Sequence, residues 1–206
     1  MTLTNCYVTL EDIKTRLGGV VVDGGDPQLE QAITSACRAI DVHCGQFFYD
    51  AGSATAKTFR PRSDVRLKVD PFSTITALAV KSDTGDDGTF ATTWTSADYE
   101  LDYFGNDPAN AYDTLEAVGS YMFPIYRRRR RTVQVTARWG WSAPPQNIIE
   151  AARILSVDLW KRKDTPFGIA TGSVDFGGLR IGRDTMAGVA SLLQTYVRSD
   201  RMIGIA

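Results

Sequence analysis

The sequence predicts an α+β protein: a helical core bundle of about four helices drawn from both chain ends, with an inserted antiparallel β subdomain. Three observations predict it. Apolar residues recur at helical spacing over residues 1–54 and again over 143–206. Over 55–142, β-branched and aromatic residues gather in short stretches separated by turn clusters. No helical pattern separates those stretches, which argues for an antiparallel meander or small barrel and against βαβ units. The expected organisation is N-terminal helices in 1–54, a β insertion in 55–142, and C-terminal helices with a tail in 143–206. The sheet is expected to project from the helical core.

The first helix starts at Thr9, a good N-cap, with Asp12 placed for a weak capping box and Val8 and Ile13 for a hydrophobic staple. Leu10, Ile13 and Leu17 share a face, and Gly18-Gly19 ends the run. Asp26-Pro27 supplies the next cap and first helical residue. Leu29, Ile33, Ala36, Cys37, Ile40 and Cys44 then form one stripe, closed by Gly45. Candidate strands follow at 55–59, 65–69, 74–81, 90–94, 99–103 and 132–139. The stretch SDTGDDG at 82–88 reads as a turn. The last strand alternates cleanly, with Val133, Val135 and Ala137 on one face. Pro144-Pro145 leads into Ile148, Ala151, Ala152, Leu155 and Leu159, a helix whose end gathers Lys161, Arg162 and Lys163, where cations suit the macrodipole. Thr165-Pro166 stops it, and a Gly-rich stretch crosses to Asp184, the cap of a final helix striped by Met186, Val189, Ala190, Leu193 and Val197. The tail 199–206 has no pattern.

A chain of 206 residues suits one compact domain carrying a subdomain, and burial of roughly 70% of its unfolded surface needs no disulfides. Three cysteines, an odd number, argue against a disulfide framework and for a reducing compartment. No apolar run approaches the roughly 20 residues of a membrane span, and no signal-peptide pattern opens the sequence. Secreted, membrane and collagenous classes are therefore not expected. The net charge of −1 removes a global polyanion-binding argument.

Catalytic and metal-binding patterns are weak. The single histidine, His43, lies beside Cys44 and six residues from Cys37. The two cysteines sit on the apolar stripe and His43 about 100° away from Cys44 on the helix, so core packing is the better reading than zinc. Neighbours on a helix do not face one another, which disfavours a Cys–His nucleophile. The acidic turns holding Asp23 and Asp26, and Asp83, Asp86 and Asp87, lack the ligand alternation of an EF-hand. The glycines of 172–182 lack the Lys-Ser/Thr of a P-loop. No enzyme, cofactor or metal is expected.

One feature stands apart: Arg127, Arg128, Arg129, Arg130 and Arg131, without which the chain carries −6. Guanidinium forks suit phosphates and carboxylates. The run reads as a protein interface or a solvated loop ahead of a nucleic-acid module, because no recognition helix, ribbon or stacking platform accompanies it. Tyr121, Phe123 and Tyr126 precede it, in an irregular stretch where interface and core roles stay open. Trp139 and Trp141 follow it, and Trp139 reads as core.

Three segments carry a resemblance: YVTLEDIKTRLG at 7–18, AITSACRAIDVHCGQFFY at 32–49 and TARWGWSAPPQNIIEAARILSVDLWKRKDTPFG at 136–168. They resemble the head-to-tail connector, or adaptor, family of long-tailed bacteriophages. The Arg138-Trp139-Gly140-Trp141 stretch, followed by proline and a long helix, is the most telling piece. The resemblance implies a structural protein of the virion head–tail junction, assembled in the host cytoplasm. It implies a homo-oligomeric ring of twelve copies beneath the portal protein, a docking face for the next neck or tail-completion protein, and DNA passing through without sequence-specific binding. A ring subunit needs two different contact faces and no active site. The candidate partner residues are Arg127 to Arg131 with Tyr121, Phe123 and Tyr126, and in the tail Val197, Arg198, Arg201, Met202, Ile203 and Ile205. The alternative is a nucleic-acid-binding module using the arginine run.

Overall fold

The computed structural model describes residues 3–18, 26–126, 131–161 and 185–198. It is α+β, with helices and an antiparallel curled sheet. Contacts cluster into two units, Met1–Phe47 with Pro144–Ala206, and Phe48–Ala143.

The first unit is helical: α1 (Leu10–Arg16), α2 (Asp26–Cys44), α3 (Gln146–Lys161) and α4 (Thr185–Leu193). The capping box on α1 is complete. The Asp12 N–H donates to Thr9 Oγ1 at 3.1 Å, and Asp12 Oδ2 accepts the Thr9 N–H at 3.0 Å. The Thr9 N–H and the Thr9 hydroxyl, both donating to Asp12 Oδ2, hold that carboxyl below its ordinary value. Val8 and Ile13 are both buried, as a staple requires. The α2 stripe is the core: Ile33, Ala36, Cys37, Ile40 and Cys44 expose nothing. Gly45 ends that helix at φ 71, where a side chain would be strained, and its N–H reaches Asp41 O at 2.9 Å. Helix α3 meets α2 and α4, burying Ile148, Ala151, Ala152 and Leu155, while α1 touches α2 and α3. Arg16 pairs with Glu150 across α1 and α3.

Helix α4 stops earlier than its apolar stripe suggested. Val189 and Leu193 are buried, but a 3-10 turn, Gln194–Tyr196, follows and Val197 is extended. The cause is a pair of hydrogen bonds to the end of α2. The Arg198 N–H donates to Cys44 O at 3.0 Å and Gln46 Nε2 donates to Tyr196 O at 2.6 Å. Carbonyls at a helix end lack internal donors, and here the returning chain supplies one. The expected cap Asp184, the cluster Arg162 and Lys163, the stop Thr165-Pro166, the glycine-rich crossing and the tail beyond Arg198 lie outside the described residues.

The second unit holds β1 (Asp50–Phe59), β2 (Arg66–Phe72), β3 (Ala79–Ser82), β4 (Thr92–Trp94), β5 (Tyr99–Tyr103), β6 (Tyr112–Ala117) and β7 (Val133–Gly140). The strand order is β4-β3-β7-β2-β6-β5, with β1 also on β7. This is not a sequential meander: the last strand lies in the middle. Its alternation explains the position, because Val133, Val135, Ala137 and Trp139 are all buried on one face.

Several strand boundaries moved. Strand β1 begins at Asp50, so residues 50–54 are strand rather than the end of the helical segment; a bulge with Gly52 at φ 77 bends it there. The expected strand 74–81 survives only as β3. Before it, Leu78 N–H bonds Ile75 O at 3.0 Å in a turn, and Ala77 sits at φ 62. Strand β6 was absent from the sequence expectation. Its YDTLEA pattern offers one fully buried aliphatic residue, Leu115, and a buried Asp113 whose charge is met by Lys68 at 3.1 Å. Cross-strand pairing made that polar stretch a strand.

Candidate assembly surface

The arginine run springs from a braced base. Trp94 lies flat on Phe123, ring centroids 4.7 Å apart and 7° from parallel, and the Tyr121 ring meets it tilted at 5.2 Å. The Trp94 indole N–H donates to Ser82 Oγ at 2.9 Å. Phe123 N–H bonds Asp64 O at 2.7 Å, and Ala117 N–H bonds Val65 O at 2.8 Å. Thr132 Oγ1 donates to Pro124 O at 2.6 Å, closing the chain on both sides of the arginines. The acidic turn is tied in as well. Asp83 N–H donates to Thr132 O, the Asp83 carboxylate accepts the N–H groups of Asp87 and Gly88, and the Tyr126 hydroxyl donates to Thr84 O. The irregular stretch 118–126 is thus held by rings and hydrogen bonds rather than by a ladder.

This bracing sorts the predicted residues. Phe123, at 1% exposure, is a core residue of the β unit, its ring stacked on Trp94. Tyr121 is exposed, and Tyr126 is half-buried with its hydroxyl bonded to Thr84 O. Arg131 is exposed; Arg127, Arg128, Arg129 and Arg130 lie outside the described residues. Val197 and Arg198 are half-buried at the end of the helical unit, away in sequence from this surface, and Arg201, Met202, Ile203 and Ile205 lie outside the described residues.

Sequence reading missed several members of this surface. Met122 and Ile125 are 62% and 52% exposed, and Val65 is 54% exposed on the adjoining segment. Arg60 and Arg62 are exposed too, and the pairing of Phe59 with Val133 brings the Arg60 side of β1 level with the Arg131 side of β7. Arg60, Arg62 and Arg131 hold no carboxylate among the described residues. Arg16, Arg38, Arg66, Arg138 and Arg153 each hold one. The signal available in the sequence was the Arg-Pro-Arg triplet at 60–62, but only strand pairing joins it to the arginine run.

The histidine stands apart from the two buried cysteines. Cys37 and Cys44 face the helical core while His43 is exposed. Burial pushes both thiols up to about 12. A thiolate is the reactive form, so native protein at neutral pH is expected to show at most one fast-reacting thiol, Cys6, to a disulfide reagent. Cys37 and Cys44 should react only on unfolding; three equally fast thiols in native buffer would contradict their burial. Among the described residues no group of His, Cys, Asp and Glu is placed to hold a metal, and no helix is long and apolar enough to cross a membrane.

The chain is thus an α+β protein of two units, the β unit carrying exposed apolar residues and exposed arginines. Comparison with known proteins gives the fold a closer likeness. The chain is similar, at 18% identity and TM-score 0.54, to a chain in the neck of an empty gene transfer agent particle computed with C6 symmetry; the match covers 93% of this chain and 92% of that one. It is similar at TM-score 0.53 and 18% identity to one in the neck of the native particle computed with C12 symmetry, covering 93% and 91%. A chain of the native particle's virion gives TM-score 0.50 at 18% identity, covering 95% and 92%. No protein-family model and no curated protein matches.

Proposed function

We propose that this chain is a structural neck protein of a phage-like particle: a head-to-tail adaptor that forms a ring, of twelve copies, beneath the portal. In that reading it extends the DNA channel, docks the next neck or tail-completion protein, and catalyses nothing. It belongs to the virion head–tail junction and is assembled in the host cytoplasm. The observation that supports the reading best is the likeness to neck chains over 93% of this chain and 92% of theirs, both units included. A second support is independent of it. The exposed Tyr121, Met122 and Ile125, with Arg60, Arg62 and Arg131 holding no carboxylate among the described residues, have the composition of a protein contact. The tail residues Val197, Arg198, Arg201, Met202, Ile203 and Ile205 are the proposed second contact, leaving the helical unit where Arg198 is pinned to α2.

The test is native mass, for the protein alone and mixed with the portal ring of its own particle. The expected result is a ring, or a fixed multiple of subunits on the portal. A monomer that ignores the portal would sink the reading.

Arg60, Arg62 and Arg131, which hold no carboxylate among the described residues, favour one other reading, a polyanion site for DNA. Five phosphate contacts by Arg127 to Arg131 would give log affinity a slope of about −4.5 against log salt. Replacing those five with serine should then abolish DNA binding and leave the ring intact. On the adaptor reading there is no such binding to abolish.

A further inference from the structure

We propose that Cys6 and Cys37 form a disulfide once the protein leaves a reducing environment, fastening the segment before α1 onto α2. Both sulfurs border the same turn of that helix. The Tyr7 N–H donates to Cys37 Sγ at 3.3 Å. Covalent geometry puts Cys6 Cα about 2.4 Å from that nitrogen, so the Cys6 main chain runs against the Cys37 sulfur. Cys6 Sγ itself lies 4.0 Å from Thr34 Oγ1. Thr34 and Cys37, three residues apart on α2, are neighbours on one helix face. Bonds that involve no sulfur hold the segment there. Arg38 donates to Asn5 O at 2.6 Å, and the Tyr7 hydroxyl donates to the Asp41 carboxylate. Tyr7 and Val8 are buried beyond Cys6.

The two thiols differ in access. Cys6 is partly exposed, whereas Cys37 exposes nothing. Burial, with the Cys6 sulfur adding to it against the Tyr7 N–H, pushes the Cys37 thiol up to about 12. A reagent from water therefore marks Cys6 alone, and Cys37 is reached only from within. That is the asymmetry of an attacked and a resolving cysteine. The oxidant is a low-molecular-weight disulfide, glutathione disulfide. The Cys6 thiolate attacks one of its sulfurs, one glutathione thiolate leaves, and a mixed disulfide stands on Cys6. Cys37 then loses its proton to water and its sulfur attacks Cys6 Sγ. The bond from Cys6 to glutathione breaks, and the second glutathione leaves as a thiolate. Two cysteines are oxidised and one glutathione disulfide is reduced to two thiols. Cys44 takes no part, since seven residues put it roughly 10 Å further along α2. In a reducing compartment both partners stay thiols.

The measurement is disulfide mapping by peptide mass on the native full chain, reduced, then treated with glutathione disulfide and quenched at intervals. The expected result is glutathione on Cys6 first, then a peptide linking Cys6 to Cys37 as the glutathione is lost. The thermal midpoint of the linked protein should rise by about 5 °C or more, because the bridge closes a loop of about 30 residues in the unfolded chain. Cys37→Ala should stop at the mixed disulfide. Where that buried substitution disturbs folding, the partly exposed Cys6→Ser is the control, and it should show neither label nor link. Wild type that keeps glutathione on Cys6 would overturn the proposal. So would a Cys6–Cys6 link between copies, or a link to Cys37 that appears in urea and not in native buffer. A native link that leaves the midpoint unchanged would overturn the fastening of the segment to α2.

Discussion

Trp139→Ala is expected to cost about 3–5 kcal/mol of folding stability, the usual range for emptying a large aromatic site in a core. Trp139 is 1% exposed and stands where the sheet divides. Its pairing with Phe72 is the register pair through which β7 meets β2, while the rest of β7 pairs with β1 and β3. Phe72 meets its ring edge-on at 6.2 Å, Phe59 lies at 5.6 Å, and the Lys57 ammonium sits 4.6 Å from its centroid. The indole N–H also donates to Thr55 O at 2.9 Å. Removing the ring therefore unties β1, β2 and β7 at one point. Urea denaturation followed by far-ultraviolet dichroism would read the loss. The neighbouring Arg138→Ala, which removes an exposed ion pair with Asp50, should change the midpoint far less. A Trp139→Ala loss below about 1 kcal/mol, under the range for such sites, would mean that the two parts of the sheet hold together without this junction.

Phe123→Ala and the pair Met122→Ser/Ile125→Ser are expected to separate stability from assembly. Phe123 is buried against Trp94, so its truncation should cost about 3–5 kcal/mol. It should also loosen the segment that presents Tyr121. Met122 and Ile125 are exposed, and substitutions at such positions usually stay within about 0.5 kcal/mol. Yet on the proposed reading their loss weakens ring formation or portal binding. Denaturation midpoints and native mass, taken on the same preparations, check both halves. A Met122→Ser/Ile125→Ser protein that unfolds as wild type and assembles as wild type would remove the apolar centre from the contact.

The helical ends were legible because local rules and global packing agreed. The Thr9–Asp12 capping box, the α2 stripe and Gly45 all act within a few residues, and burial followed the stripe residue by residue. The sheet was legible only where alternation was apolar. Strand β7 satisfied that, whereas β6 did not: its Asp113 and Glu116 look like turn or helix residues until Lys68 and Arg66 arrive on the strand beside them. The turn before β3 was hidden for the opposite reason, since Thr74, Ile75 and Thr76 have strand composition but sit in a turn with Ala77 at positive φ. Strand preference largely measures what lies alongside, and the neighbour is remote in sequence.

The candidate surface divides the same way. By itself the sequence determined the α+β class, the helical ends, the alternating strand at 132–139 and the run of five arginines, because each depends on residues a few positions apart. Tertiary structure alone decided that Phe123 is core while Met122 and Ile125 face water, and that Arg60 and Arg62 join Arg131. Those outcomes depend on Trp94 stacking from another strand and on the register of β1 against β7. A one-residue slip of that register would turn every side chain of β1 to the other face, and no short-range pattern in β1, whose side chains are largely exposed, fixes it.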